Sequence, residues 1–374
     1  MPYRTIDLCA GIGGIRKGFE LTGNFINVLS AETDLFARRT YEHLFQEDPL
    51  NDLTSDNFKE NVDVLEYEIL LAGFPCQPFS RAGLQEGFNN ETRGIIFAHI
   101  ADIIERTRPR GVFLENVDHL LTHNRGTTFR QILETLEYDL NYKIIGVTRN
   151  EDDELVYGRN GFIRNSRFFG VPQNRPRTYI MGFDRERFEE VDNFAVLLPE
   201  SRDEVIFNNL NDLLEVEVAP KYYLSQGYLD TLIAHKQRQQ DNGNNYGYKI
   251  LNEEGVENPV SCTLLATGGS GKERNLIYDM REGIPGMVVA KKNTPINTQG
   301  IRTLTPTEWG RLQGFIGYAY VNGYGEDEFA FPDGISDFQK YKQFGNTVTI
   351  PLVETMADFM YDCLIVMGDD VPVF

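Results

Sequence analysis

YRTIDLCAGIGG (residues 3–14) is a short apolar run that stops in a glycine-rich turn, and residues 15–22 follow with helical spacing up to Gly23. A strand entering a helix through glycines opens an α/β unit. Working outward, residues 25–31 predict a second strand and 34–45 a second helix. Residues 64–72 and 111–115 predict further strands. Between them GIIFAHIADIIERT (94–107) carries apolar residues at i, i+3, i+4 and i+7, the pattern of an amphipathic helix. Residues 129–140 predict another helix, and 143–147 and 177–183 two more strands. Alternating strands and helices predict a mostly parallel sheet. After about residue 187 helices become scarce and turn signals multiply, as in DNGNN (241–245) and GGSG (268–271), which predicts a smaller loop- and strand-rich domain. Regular structure returns at 305–315 and 350–367.

The chain has 374 residues, 41% hydrophobic and 25% charged, which excludes wholesale disorder and allows two domains. Its apolar stretches are too short to span a bilayer, and the first residues lack a secretory pattern. Cys9, Cys76, Cys262 and Cys363 are widely scattered and show no metal spacing, which suits reduced thiols in a cytoplasm. The charge is −20, from 36 Lys+Arg against 56 Asp+Glu, with a pI near 4.7. That sum argues against nucleic acid, but its distribution is uneven. Residues 155–182 hold five arginines (159, 164, 167, 175 and 177) and no acid, whereas 186–217 hold ten acids and two bases. Arg159, Arg164 and Arg167 are therefore expected on a basic face.

The glycine turn admits a ligand close to the backbone, and Glu32 stands 18 residues beyond Gly14, where an acid accepts from ribose hydroxyls. The site is nucleoside-binding, either NAD-like or S-adenosylmethionine-like, and the absence of G-x-G-x-x-G disfavours a dinucleotide. GFPCQPFS (73–80) follows the third strand, so Cys76 faces the same crevice, held between Pro75 and Pro78. ENV (115–117) ends the next strand with Glu115. In QNRPR (173–177), Arg175 and Arg177 stand two apart and are expected on one face. GNTV (345–348) precedes a C-terminal helix.

These motifs, in this order and together with RTLTPTEWGRLQGF (302–315), closely resemble the C5-cytosine DNA methyltransferases of bacterial restriction–modification systems. The resemblance runs from Tyr3 to about Met360 and omits only residues 188–300, where that family places its variable target-recognition region. It implies a Rossmann-like S-adenosylmethionine-dependent catalytic domain (1–187 plus 335–374) and a target-recognition domain (188–334), with duplex DNA as substrate. It further implies that Cys76 adds to C6 of a flipped cytosine. Glu115 then contacts N3 and the exocyclic amine in a protonated form, Arg177 contacts O2, and Arg175 braces the site. For the cofactor the resemblance implies Gly11, Ile12 and Gly14 at the methionine and ribose, Glu32 at the ribose, and Asp52 with Leu53 at the adenine. Pro75 and Ile96 complete the pocket, and Asn346 and Val348 close it. Cys9 and Thr33 stand where the family usually has Phe and an aromatic or apolar residue flanking the adenine. Ser80, Arg81 and Arg93 belong to a loop closing over the base. Thr263, in PVSCTLL (259–265), resembles the target-region signature, and Lys236, Arg238, Lys272 and Arg274 are candidate DNA contacts. A monomer is expected, with a cognate restriction endonuclease in the same system. The alternatives are a tRNA cytosine methyltransferase, for which a long variable region is unnecessary, a nicotinamide dehydrogenase, which leaves Cys76, QNRPR and GNTV unexplained, and a non-catalytic DNA-binding protein.

Overall fold

In chain order the elements are β1 (Tyr3–Leu8), α1 (Gly14–Leu21), β2 (Phe25–Ala31), α2 (Leu35–Phe45), α3 (Asp56–Asp63), β3 (Ile69–Gly73), α4 (Ile96–Thr107), β4 (Gly111–Val117) and α5 (Thr127–Glu134). Short strands β5 (Tyr142–Ile144), β6 (Val147–Arg149), β7 (Leu155–Tyr157), β8 (Ile163–Asn165) and β9 (Gln173–Asn174) lead to the long β10 (Pro176–Asp184). Then come α6 (Gln226–Asp241), β11 (Ser261–Cys262), β12 (Leu276–Tyr278), β13 (Ile301–Thr303), α7 (Pro306–Leu312), α8 (Asp337–Asn346) and α9 (Ile350–Val366). This is a computed structural model, and it describes residues 1–75, 96–188, 191–193, 196–244, 246–267 and 272–368. Two compact units emerge: Met1–Asn165, Pro176–Arg202 and Val348–Phe374 form the first, Ser166–Arg175 and Asp203–Thr347 the second. The boundaries expected at 187/188 and 334/335 differ from this division, because Ser166–Arg175 and the whole of α8 pack within the second unit.

The first unit is built on a sheet of order β2-β1-β3-β4-β10-β5, with β8 also paired to β10. β2, β1, β3 and β4 are parallel, and α1 and α4 provide the crossovers that parallel strands require. The sheet departs from the parallel expectation at β10, which runs antiparallel to β4, β5 and β8. Alternation marks a strand but not its direction, so only pairing reveals the reversal. Ile6, Leu8, Leu70, Ala72, Val112 and Leu114 from the strands pack with Phe97, Ile100 and Ile104 of α4 in one core. Residues 150–165 close the β6–β7 hairpin and then supply β8, which pairs with the first residues of β10.

Local chemistry fixes the helix starts. Asp34 accepts from the backbone N–H groups of Phe36 and Ala37 to begin α2, and Ser55 accepts from Phe58 to begin α3. In the second unit, Thr305 and Glu308 form a reciprocal capping box, with Pro306 in the first turn of α7. That unit also contains the 16-residue α6, contrary to the expected scarcity of helices after residue 187. Leu229 is the one α6 residue fully buried, so hydrophobic periodicity had almost nothing to mark.

α1 and α9 pack closely at Gly18. A Cβ there would lie 2.7 Å from Val353 Cγ1 and 3.2 Å from the Glu354 backbone nitrogen. Alanine gains up to about 1 kcal/mol of helix propensity over glycine, but overpacking a filled interface costs about 1–3 kcal/mol. Gly18→Ala is therefore expected to lower the urea midpoint. A raised midpoint would show that the two helices do not approach so closely.

Candidate active site

The glycine turn links the buried end of β1 to α1. Gly11 and Gly13 both have positive φ, +57° and +78°, which explains the residue type. Only Gly11 opens onto space: its Cβ would meet nothing within 4 Å, whereas one on Gly13 would strike the Phe45 ring. Gly11 is thus where a ligand can lie against the backbone. Ile12 and Gly14 are buried beneath it. Glu32, beyond the end of β2, accepts from the backbone N–H of Gly11 at 2.8 Å, Thr33 at 2.8 Å and Asp34 at 2.7 Å. Each carboxylate oxygen has two lone pairs, so Glu32 braces the turn and retains acceptor capacity for external hydroxyls. Asp52 is exposed and uses one oxygen, Oδ1, to accept from the Thr54 N–H and hydroxyl at 2.9 and 2.7 Å. Leu53 beside it is buried, and Ile96 is half-buried at the start of α4; both pack on the main core, as does half-buried Cys9. Burial, with Glu32 and Asp7 nearby, pushes the Cys9 thiol well up, so it stays protonated.

Asp7 has no role in the expectations above, although a carboxylate within an apolar strand is itself a signal. It is fully buried; Oδ2 accepts the Arg16 N–H at 3.3 Å, and Oδ1 has no hydrogen-bond partner among the described residues. Burial pushes its pKa up to about 7, only partly opposed by Arg16. An orphaned buried oxygen beside an open glycine turn, with Glu32 close by and bracing that turn, fits a nucleoside carrying a cationic amino-acid tail.

The second cluster stands at the ends of β3, β4 and β10. Register pairs Gly73 with Glu115 on β3 and β4, and Tyr179 with Glu115 across β10. The reversal of β10 brings Arg177 back to this end, opposite Val117, and its Nε lies 3.3 Å from Glu115 Oε1. Both side chains are 11% exposed. Asn116, the residue after Glu115 on β4, donates from Nδ2 to the Phe74 carbonyl at 2.8 Å. It therefore anchors the segment that continues through exposed Pro75 towards Cys76. Cys76, Ser80, Arg81 and Arg93 lie outside the described residues.

Arg175 does not share a strand face with Arg177. It precedes β10 and packs within the second unit, where its buried guanidinium donates to the carbonyls of Leu264 (2.9 Å), Gly345 (2.9 Å) and Thr347 (2.6 Å). One side chain thus ties QNRPR to the Thr263–Leu264 signature and to GNTV. Gln173 adds a bond to the Leu312 carbonyl at 2.9 Å. GNTV precedes a C-terminal helix, as expected: Gly345 and exposed Asn346 end α8, and buried Val348 leads into α9. A Cβ on Gly345 would sit 2.4 Å from the Leu265 backbone, which explains the glycine.

The other candidate DNA contacts all lie in the second unit. Thr263 donates its hydroxyl to the Asn174 carbonyl. Lys236 lies over Tyr248, Arg274 over Tyr246 and Lys272 over Tyr341, and Arg238 is exposed on α6. The arginine-rich stretch departs from the basic face expected of it. Arg164 is 4% exposed and donates to the carbonyls of Asn160, Ile163, Leu198 and Pro199, so it is scaffolding and not part of a basic face. Arg159 and Arg167 are exposed, in different units.

Residues 3–361 match the family model for C-5 cytosine-specific DNA methylase. The chain is 39% identical to the Type II methyltransferase M.HpaII of Haemophilus parainfluenzae, covering 94% of this chain and 87% of that protein. It is 37% identical to M.SsoII of Shigella sonnei, covering 95% and 79%. Among solved structures, the Entamoeba histolytica methyltransferase EhMeth superposes with a TM-score of 0.63 at 18% identity, covering 97% and 99% of the two chains. A Dnmt2 methyltransferase of S. pombe gives 0.61 at 16%, covering 97% and 99%. At such identities the structures establish the Rossmann-like fold. No described helix is long and apolar enough to cross a membrane.

Asp7 makes a pH-dependent contribution to stability. Its pKa is raised in the folded state, so the native protein holds a proton that the unfolded chain releases, and stability falls as pH rises from about 4 to about 7. Each pH unit in that window is worth about 1.4 kcal/mol at most. Asp7→Asn, which keeps the acceptor for Arg16, is expected to match the wild type near pH 4.5 and exceed it in melting temperature at pH 8. A difference independent of pH would contradict this assignment.

Proposed function

The chain belongs to the C-5 cytosine-specific DNA methylase family, and on that premise we propose that it transfers a methyl group from S-adenosylmethionine to C5 of a cytosine flipped out of a specific short duplex DNA sequence. The observation that carries this reading is the Glu115–Arg177 pair, 3.3 Å apart at the strand ends, beside a segment held by Asn116 and leading to Cys76. A carboxyl group and a guanidinium in one small cluster match the edge of a cytosine. A protonated carboxyl donates to N3 and accepts from the exocyclic amine, and the guanidinium donates to O2.

Cytosine C5 is a weak nucleophile. Addition of the Cys76 thiolate to C6 moves electron density to C5, and the proton Glu115 gives to N3 neutralises the ring as it accepts that pair. A free thiol with a pKa of about 8.5 is only a few per cent thiolate at neutral pH, so this proton donation matters. When bound, S-adenosylmethionine supplies an electrophilic methyl carbon. Loss of the C5 proton to a base, return of the N3 proton to Glu115 and expulsion of the thiolate then restore the aromatic ring and the enzyme. Arg175, committed to three carbonyls, acts as a positioning residue within its own unit and does not touch the base. Gly11 and Glu32 receive the ribose and methionine part of the cofactor. The unpartnered buried oxygen of Asp7 supports a cationic group nearby. Reaching a base inside a duplex costs a few kcal/mol of unstacking. Relatives named as Type II methyltransferases support DNA over tRNA as the substrate and a restriction–modification setting.

Two measurements test this reading. Duplex DNA carrying 5-fluorocytosine at the target cannot lose fluorine as a proton, so the wild type with cofactor is expected to form a stable covalent adduct at Cys76, located by peptide mass spectrometry. Cys76→Ser is expected to form none, and an undiminished adduct in that variant would remove Cys76 from the mechanism. Separately, Asp52→Ala is expected to weaken S-adenosylmethionine binding by roughly 1–3 kcal/mol, the cost of leaving an adenine amine without its acceptor. Calorimetry with unchanged affinity would move the adenine pocket elsewhere.

A further inference from the structure

The second unit contains a cleft of about 710 Å³ with four lysines on its walls, Lys221, Lys272, Lys291 and Lys292, against two acids, Glu273 and Asp337. In a protein of net charge −20 this local excess of cations is a reversal of sign. The acids do not neutralise it. Asp337 is engaged by Lys221 at 2.6 Å, and by the Tyr222 hydroxyl at 3.1 Å. Glu273 accepts the Tyr228 hydroxyl. Among the described residues none of Lys272, Lys291 and Lys292 forms an ion pair with a carboxylate. Lys272 rests its ammonium 3.9 Å from the centre of the Tyr341 ring. Burial lowers the Lys272 pKa, opposed by Asp337 and Glu273, with the charge of Lys292 adding to the lowering. Burial lowers Lys292 as well. Two ammonium groups that repel each other in a partly desolvated cleft are stabilised by an anion between them. Hydroxyls from Ser225 and Thr294 line the same walls; Thr294 accepts from the Gly227 N–H and keeps its own hydrogen to donate, whereas Thr231 donates to the Gly227 carbonyl. Lysines with hydroxyl donors are the set that holds phosphate oxygens in protein–DNA interfaces.

We propose that this lysine–tyrosine cleft is where the second unit grips backbone phosphates of the DNA substrate; the inference rests on the reading that duplex DNA is what the enzyme modifies. Such contacts position the duplex without reading its bases, so they strengthen cognate and unrelated sequences alike. They also resolve the charge conflict. An acidic protein binds a polyanion if its cations are concentrated where the phosphates lie.

The test uses the full chain, a fluorescent duplex and anisotropy titrations between 50 and 200 mM salt. Lys291→Gln with Lys292→Gln is the preferred variant, because both residues lie in a loop outside helices and strands, whereas Lys272 supports Tyr341. The double variant is expected to bind more weakly by the same factor on any duplex sequence. Its slope of log K against log salt should shrink by roughly 2, about one for each phosphate no longer neutralised. Lys249→Gln, an exposed lysine that does not line the cleft, is expected to leave the slope unchanged. An unchanged slope in the double variant, or an equal change per lysine in Lys249→Gln, would overturn the proposal while leaving the methyltransferase reading intact. A wild type that neither binds nor methylates duplex DNA would overturn both. Inorganic phosphate at constant ionic strength separates the sources. If it raises the melting temperature of the wild type but not of the double variant, and the DNA slopes agree, the cleft takes a free phosphate and the DNA assignment is wrong.

Discussion

The contact between Glu115 and Arg177 depends on a single topological event, the reversal of β10 against β4. Four parallel strands deliver Glu115 and the segment before Cys76 to one edge of the sheet. A fifth parallel strand would begin at the opposite edge and carry Arg177 away. Running antiparallel, β10 starts where β4 ends, and its first residues supply the guanidinium. Burying two charges costs several kcal/mol each before their attraction is counted, so such a pair is a poor source of net stability. It fixes orientation instead: each group holds the other at the mouth of the sheet, and Asn116, next to Glu115 in sequence, holds the Phe74 carbonyl.

QNRPR divides its labour across the two units. Arg177 serves the sheet of the first, while Arg175, two residues earlier, satisfies three buried carbonyls of the second. A planar guanidinium with five donors suits a site where separate strands of backbone converge, and a lysine does not provide that geometry. The same distinction governs the arginine-rich stretch 155–182. Arg164, Arg175 and Arg177 are internal fasteners, so a run of positive charge in the sequence is not a basic surface. In the second unit, Lys272, Lys291 and Lys292 instead gather positive charge, unpaired among the described residues, in one cleft.

Much of the first unit is legible in the sequence because its motifs carry local physics. The turn at Gly11, the acid at Glu32 and the periodic α4 all lie where spacing and residue type place them. What is not legible depends on long-range pairing or on weak amphipathicity. Strand direction leaves no trace in alternation, so β10 reads as one more parallel strand. α6 is polar on most of its surface, with Leu229 its one fully buried residue, and α3 is only eight residues long. The i, i+2 spacing of Arg175 and Arg177 suggests one face, but the strand begins between them, at Pro176. Asn116 and Asp7 are visible as residues and not as roles, because each acts through a partner 42 and nine positions away.

The position and atom of modification decide between a cytosine methyltransferase and any other use of this fold. Bisulfite sequencing of DNA from a methylation-deficient host expressing the wild-type chain tests this most directly. Protected cytosines are expected to be confined to one short recurring sequence, with none protected for Cys76→Ser. Complete conversion at every cytosine in the wild type, with expression verified, would contradict the assignment.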